Sequence, residues 1–453
     1  MSLTAFLFWL TYVAGVAGAL IAPLVGVMLY IFAYHLNPGE QWWGESVRTM
    51  GLRVSLTIAI ATVIGLVLRR PGFEGRGRQL LWPAPAMFAF AAIALASLSW
   101  GYGPSERGLA QAEKLVKVLV FLMILIRCVR RPSHYHLVLF TWMAGVFYIG
   151  YEAWGDVGIM VAGRLDKGLG GSDFAESGDL SAHLVATLPL IGAMFFMSRS
   201  VFGRGFYLIV GALSVNTIVL TRSRSALLGV AATAMAIACS LPRGYRLRGV
   251  AAIVLGTALA LQLTDPGWWH RMRTISLEPQ DASAVGRLHY WAASLQMVGD
   301  HPLGIGLGNF QTVVQEYVPG LTIIRAAHNT YLECLAETGW LGAATLLLIL
   351  CGALYRTTAS ARRASRFESD IDISIMGRRT RFHLGWHATA LRAALVGYGV
   401  CAFFQTRVVG EDFWILMALA ICLGNVTTYM ETAEQDVPAE IEPAAIPSLA
   451  VAR

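Results

Sequence analysis

An all-α, polytopic membrane protein is what this chain predicts, on three observations. Hydrophobic residues make up 56% and charged residues 14% of its 453 positions, against about 25% charged in an ordinary soluble domain. Apolar runs near or above the roughly 18 residues that cross a bilayer as a helix recur along almost the whole length. None of them shows the roughly ten-residue alternation of a transmembrane barrel.

Taken in order, the apolar runs fall near 3–36, 50–68, 80–100, 115–130, 136–154, 180–198, 205–220, 225–240, 246–263, 329–356, 388–407 and 411–430, about 12 spans by the length criterion. The first run is ambiguous, because Pro23 permits either one kinked helix or a short hairpin. The opening MSLTAFLFW lacks a basic leader and runs on too long for a cleaved signal, so the first span is expected to insert and stay. Residues 1–263 are thus expected to hold about 10 spans, 264–327 a large loop, 328–430 the C-terminal spans, and 431–453 a Pro/Ala/Glu-rich disordered tail. The six cysteines form no CxxC pair and mostly lie inside apolar runs, which predicts neither a disulfide framework nor a thiol–metal site.

Basic residues alternate between connections. RRPGFEGRGR (69–78), RCVRR (127–131), SRSVFGR (198–204), LPRGYRLR (241–248) and the long segment 355–383 fall on one face if the spans alternate. Lys/Arg excess in short loops marks the cytoplasmic side, where the C-terminus also falls. The formal charge of +7 therefore follows from topology and implies no nucleic-acid partner.

On the opposite face lie residues 99–114, the acidic, glycine-rich segment 152–179, the tight turn TRSRS (221–225) and the loop from Thr264 to Ala327. A loop this long in a compact fold is usually a lid or a binding element. Its ASAVGRLHYWAASLQMVGDHP reads as a capped helix and its GIGLGNF as a turn. No fixed-period repeat and no match between the two halves supports an inverted-repeat transporter.

Arg222 and Arg224 are out of place on the arginine-poor face. Either their side chains snorkel to the headgroups, or their guanidinium forks clamp an anion such as a diphosphate. Arg287 in VGRLHYW and Arg325 in IIRAAHN add cations to the same face; singly, each also reads as a solvated loop residue. In HNTYLECLAETGW, Asn329, Glu333 and Glu337 share a helical stripe beside His328 and Tyr331. Helix capping and the helix dipole account for the acidic residues. His caps poorly, and its pKa near neutrality suits a general base for a sugar hydroxyl.

Three weaker patterns carry little. Asp370 and Asp372 form a DxD-like pair in a basic loop of the cytoplasmic face, His383 and His387 have metal-pair spacing without a third ligand, and Gly304, Gly306 and Gly308 form GxGxG with no preceding strand.

The order SRSALL at the start of a span, then R-x-x-x-W and HPLGIGLGNF in a long outer loop, then HNTYLECLAETGWLG opening the next span, resembles the O-antigen ligase and O-antigen polymerase family of lipid-linked glycan transferases. The resemblance implies a GT-C-like inverting enzyme of the bacterial inner membrane, working on the periplasmic face without metal, nucleotide or other cofactor. It implies a glycan donor on undecaprenyl diphosphate and, as acceptor, lipid A–core for a ligase or another lipid-linked glycan for a polymerase. Carried over, Arg222 or Arg224 and Arg287 match the diphosphate-binding arginines, and His328 matches the base. Position and chemistry add Arg325 to the arginines and Glu333 to the catalytic group. A flippase for the same lipid would also want arginines, but at the bilayer midplane and not clustered at one mouth. The acidic character of 152–179 is expected to repel a phosphate-rich acceptor and so to disfavour a strict lipid A–core ligase.

Overall fold

The computed structural model describes residues 2–69, 81–161, 163–174, 176–241, 243–273, 282–320, 324–367, 369–375 and 378–435. Chain order begins α1 (Leu3–Ile21), α2 (Pro23–Leu36), a short α3 (Glu45–Thr49), α4 (Val54–Arg69), α5 (Ala84–Ser97), α6 (Glu106–Cys128) and α7 (Pro132–Trp154). A hairpin of β1 (Ile159–Val161) and β2 (Arg164–Lys167) precedes α8 (Ser177–Met197), α9 (Val201–Thr221), α10 (Arg224–Ser240) and α11 (Arg243–Leu261). The large loop holds α12 (Pro266–Arg273), α13 (Ala282–Asp300) and α14 (Phe310–Tyr317). Last come α15 (Thr330–Arg363), the hairpin β3 (Asp370–Ile375) and β4 (Arg378–His383), α16 (Leu384–Ala402) and α17 (Glu411–Gln435).

Among the described residues, six helices are long and apolar enough to cross a membrane, or seven if α11 and α12, bent by 113° at their junction, count as one span; four more apolar helices are shorter. The expected 12 spans are not confirmed: each expected run holds a helix, but several of them, α4, α5 and α10 among them, are shorter than a full span. The first run is broken at Pro23: Ala22 is extended (φ −134°, ψ 98°), and a Cβ on Gly15 would stand 2.7 Å from Leu29. Contact between residues so far apart in sequence requires the two arms to fold back on each other, so residues 3–36 form a hairpin.

Depth in the bundle separates the helices. In α17 and α8, 89% and 78% of the apolar window is buried, against 22% in α1 and α9, so the former make the centre and the latter the rim. A helix apolar on all sides suits either place in a membrane protein. The two hairpins correct the all-α expectation. In DIDISI, apolar residues alternate with polar ones at period two, the strand pattern, and β3 pairs antiparallel with β4 from Asp370↔His383 to Ile375↔Arg378. This places the DxD-like pair on a strand: Asp370 binds Arg381, and Asp372 lies 2.8 Å from Arg199. His387 is buried against Tyr135 and Phe382. The expected tail begins inside α17, which runs on to Gln435. Residues 436–453 lie outside the described residues, as do 70–78 of the first basic loop.

Candidate active site

At TRSRS the chain reverses on a left-handed residue. Arg222 (φ 47°, ψ 36°) ends α9, and Ser223 caps α10 by accepting from the Ala226 N–H at 3.4 Å. The turn fixes Arg222 and Arg224 at the same end of the bundle, both half-buried. The Arg222 guanidinium lies 2.5 Å from Asp265, just before α12, and its carbonyl accepts from Arg271 Nε at 3.0 Å. It also borders the β1–β2 turn, where a Cβ on Gly163 would stand 3.1 Å from Nη1.

HNTYLE is pinned from several sides. Asn329 caps α15, its Oδ1 accepting from the Tyr331 and Leu332 N–H groups at 3.0 and 3.1 Å. Just before it, His328 is left-handed (φ 48°), a conformation uncommon outside glycine although His is among the residues enriched there. Ala327 fixes the turn: its N–H donates to Glu333 at 2.8 Å and its carbonyl accepts from Trp291 Nε1 at 3.1 Å. Trp291 lies on α13 one turn after Arg287, so the R-x-x-x-W spacing puts both on one helical face. The tryptophan anchors the turn and the arginine is brought into range of His328.

The electrostatics agree with that placement. His328 binds a proton less readily than an ordinary histidine, because of burial first and then Arg287, Arg325 and Arg164; Glu176 opposes them. Its Nδ1 lies 3.8 Å from the Glu176 carboxylate. Burial and the three guanidinium groups thus favour the neutral imidazole.

Both glutamates of the motif are buried and bonded. Glu333 accepts from Ala327 N–H and from Thr406 Oγ1 at 2.6 Å, so it holds the turn that aims His328. Glu337 accepts from the Phe310 N–H at 3.2 Å. Near it α15 is broken at Gly339 (φ 67°, ψ −169°). The break frees the carbonyls of Ala336 and Glu337, which accept from Ile305 and Gly306 N–H at 2.9 and 3.0 Å. Gly304 (φ 93°) passes so close that a Cβ would stand 2.3 Å from Glu337 O. GIGLGNF is therefore a turn locked into the broken helix.

Beneath the mouth is a second polar cluster. Arg407, between α16 and α17, pairs with Asp412, lies 3.6 Å from Asp179 and donates from Nε to Tyr398 at 2.9 Å. His183 Nδ1 is 3.3 Å from Asp412, and its Nε2 is 3.2 Å from His35 Nε2. Gln405 links this layer to the mouth: its Nε2 donates to Ser225 at 3.1 Å and its carbonyl accepts from Thr330 Oγ1 at 2.7 Å. The TRSRS turn and the HNT turn are joined through this one residue.

Arg287, Arg325 and His328 therefore come together, and Arg222 and Arg224 stand at the same mouth, Arg222 beside the turn that carries Arg164. Glu333 lies behind His328. Glu176, Arg164, Gln405 and Arg407 escaped the sequence reading. Arg164, Glu176 and Arg407 were signalled only by charge, in GRLDK, DFAESGD and TRVVGED, and Gln405 by nothing, all outside the stretches that carried the resemblance. In the acidic segment 152–179, Asp166 pairs with Arg164 at 2.9 Å, Asp173 with Lys114, and Asp179 faces Arg407, whereas Asp156 and Glu176 stay exposed.

Fold and site together define a polytopic helical membrane protein with a histidine–arginine site at one face. Residues 209–347 match the O-antigen ligase family. The chain thus carries an O-antigen ligase family domain over this stretch, which contains His328, Glu333 and all four arginines expected from the sequence. A search of curated proteins found no match.

Proposed function

We propose that the protein transfers a glycan from an undecaprenyl-diphosphate donor to an acceptor hydroxyl at the periplasmic face of the inner membrane, with inversion and without a metal. The observation that carries this reading is the turn at His328, pinned by Trp291 and Glu333 and set beside Arg287 and Arg325. Neutral His328 removes the acceptor proton as the hydroxyl attacks the anomeric carbon. Negative charge then grows on the departing diphosphate. Arginines aimed there stabilise the transition state more than the ground state, and Arg222, Arg224, Arg287 and Arg325 are the residues assigned to it. Glu333 acts through the turn, as a positioning residue.

Ligase and polymerase share this chemistry. The ligase is the reading adopted. A flippase is the competing class; the charges found below the mouth, at Arg407 and Asp412, are matched to one another and sit near the helix ends. The test is transfer from purified undecaprenyl diphosphate-linked glycan to candidate acceptors, with products sized. A single addition to an acceptor lipid supports the ligase, a long ladder means a polymerase, and lipid translocation without transfer overturns the enzyme reading.

A further inference from the structure

We propose that Glu176 is the positioning carboxylate of His328: it holds the ring through Nδ1 and leaves Nε2 to take the acceptor's proton. This rests on His328 acting as the base.

Three observations carry it. The Glu176 carboxylate lies 3.8 Å from His328 Nδ1, and closing by about 1 Å would make a full hydrogen bond. Glu176 occupies the N-cap position of α8 yet makes no side-chain capping bond, so its carboxylate is not committed to its own helix. Ser, Thr, Asp or Asn would cap far better there, so local helix chemistry does not explain a glutamate. Finally, the charged groups acting on His328 are Arg287 from α13, Arg325 from the loop before α15, Arg164 from β2 and, as the one carboxylate favouring the protonated ring, Glu176.

Catalysis makes this asymmetry matter. As the acceptor O–H bond breaks, its proton moves to Nε2 and its oxygen forms the new bond to the anomeric carbon. The bond from that carbon to the diphosphate breaks, and its electron pair leaves on the diphosphate. His328 is then an imidazolium facing three guanidinium groups. A carboxylate at Nδ1 selects the Nδ1–H tautomer beforehand and offsets the repulsion afterwards, the logic of a His–Asp pair in hydrolases. The proton later passes to water.

The experiment is the pH dependence of transfer by purified full-length Glu176→Gln, Glu176→Asp and His328→Ala, using undecaprenyl diphosphate-linked glycan as donor. Glu176→Gln is expected to lower kcat about tenfold or more with donor KM unchanged. Its acid limb should move to lower pH, because the group that favoured the protonated ring has gone. Glu176→Asp should restore part of both. A purely structural role for Glu176 would lower activity at every pH without moving the limb, and that result overturns the proposal. So does a wild-type profile in Glu176→Gln while His328→Ala is inactive. Retained transfer by His328→Ala would instead overturn the base assignment itself.

Discussion

Two clusters of charge lie within a few residues of each other at this face, and they are built on opposite plans. Around Arg407, burial is almost complete: Arg407 and Asp412 side chains are 2% and 0% exposed. Each is bonded to an opposite charge or a polar group. At the mouth, His328 is 17% and Glu176 56% exposed, and three arginines act on one imidazole. A buried, mutually bonded set holds structure, whereas a half-open set around an imidazole stands where an anion and a proton can reach it. The Arg407 N–H donates to Thr330 Oγ1 at 2.9 Å, so the sealed cluster is tied to the turn that carries His328.

The largest effect should come from breaking the sealed cluster. Arg407→Ala leaves Asp412 as an uncompensated buried charge and should cost about 3–5 kcal/mol. It is expected to collapse the yield of monodisperse protein in detergent. Normal yield and thermal stability would contradict a structural role. Removing a cation from the open cluster should spare the fold and reduce chemistry. Arg287→Ala is expected to lower kcat/KM about a hundredfold. Because Arg287 pushes protons off His328, its loss should also move the acid limb of the pH profile upward. In the unaltered protein that limb should lie below the ordinary histidine value of about 6.5, activity falling as the base becomes protonated.

A smaller effect is expected at Arg222. Its partner Asp265 is 54% exposed, and such pairs contribute about 0.2–1 kcal/mol. Asp265→Asn frees the guanidinium for the donor and should lower donor KM by less than about fivefold. An increase in KM would mean that Asp265 orients Arg222. Least of all should chelation matter: activity after EDTA treatment is expected to be unchanged if arginines alone stabilise the leaving diphosphate, and loss restored by a divalent ion would contradict that.

The open cluster was largely legible in the sequence, and the sealed one was not. Arg222 and Arg224 stood out because arginine is scarce on that face, and His328 because histidine is a poor cap. Burial carries no such signal. Arg407 and Asp412 stand in TRVVGED with nothing in their spacing to announce their ion pair. Tertiary placement alone makes them a network. Likewise GIGLGNF was readable as a turn, while its insertion into the break at Gly339 depends on a helix interruption that apolar run length conceals. The period-two alternation of DIDISI was present and passed unread beside so many helical runs.

The most direct test is transfer by purified His328→Ala beside the unaltered protein, with both first shown to be equally folded by size-exclusion profile and thermal unfolding. The account predicts a variant as stable as its parent, still able to bind the lipid-linked donor through the arginines, and without measurable transfer. Transfer at near the parental rate would contradict it.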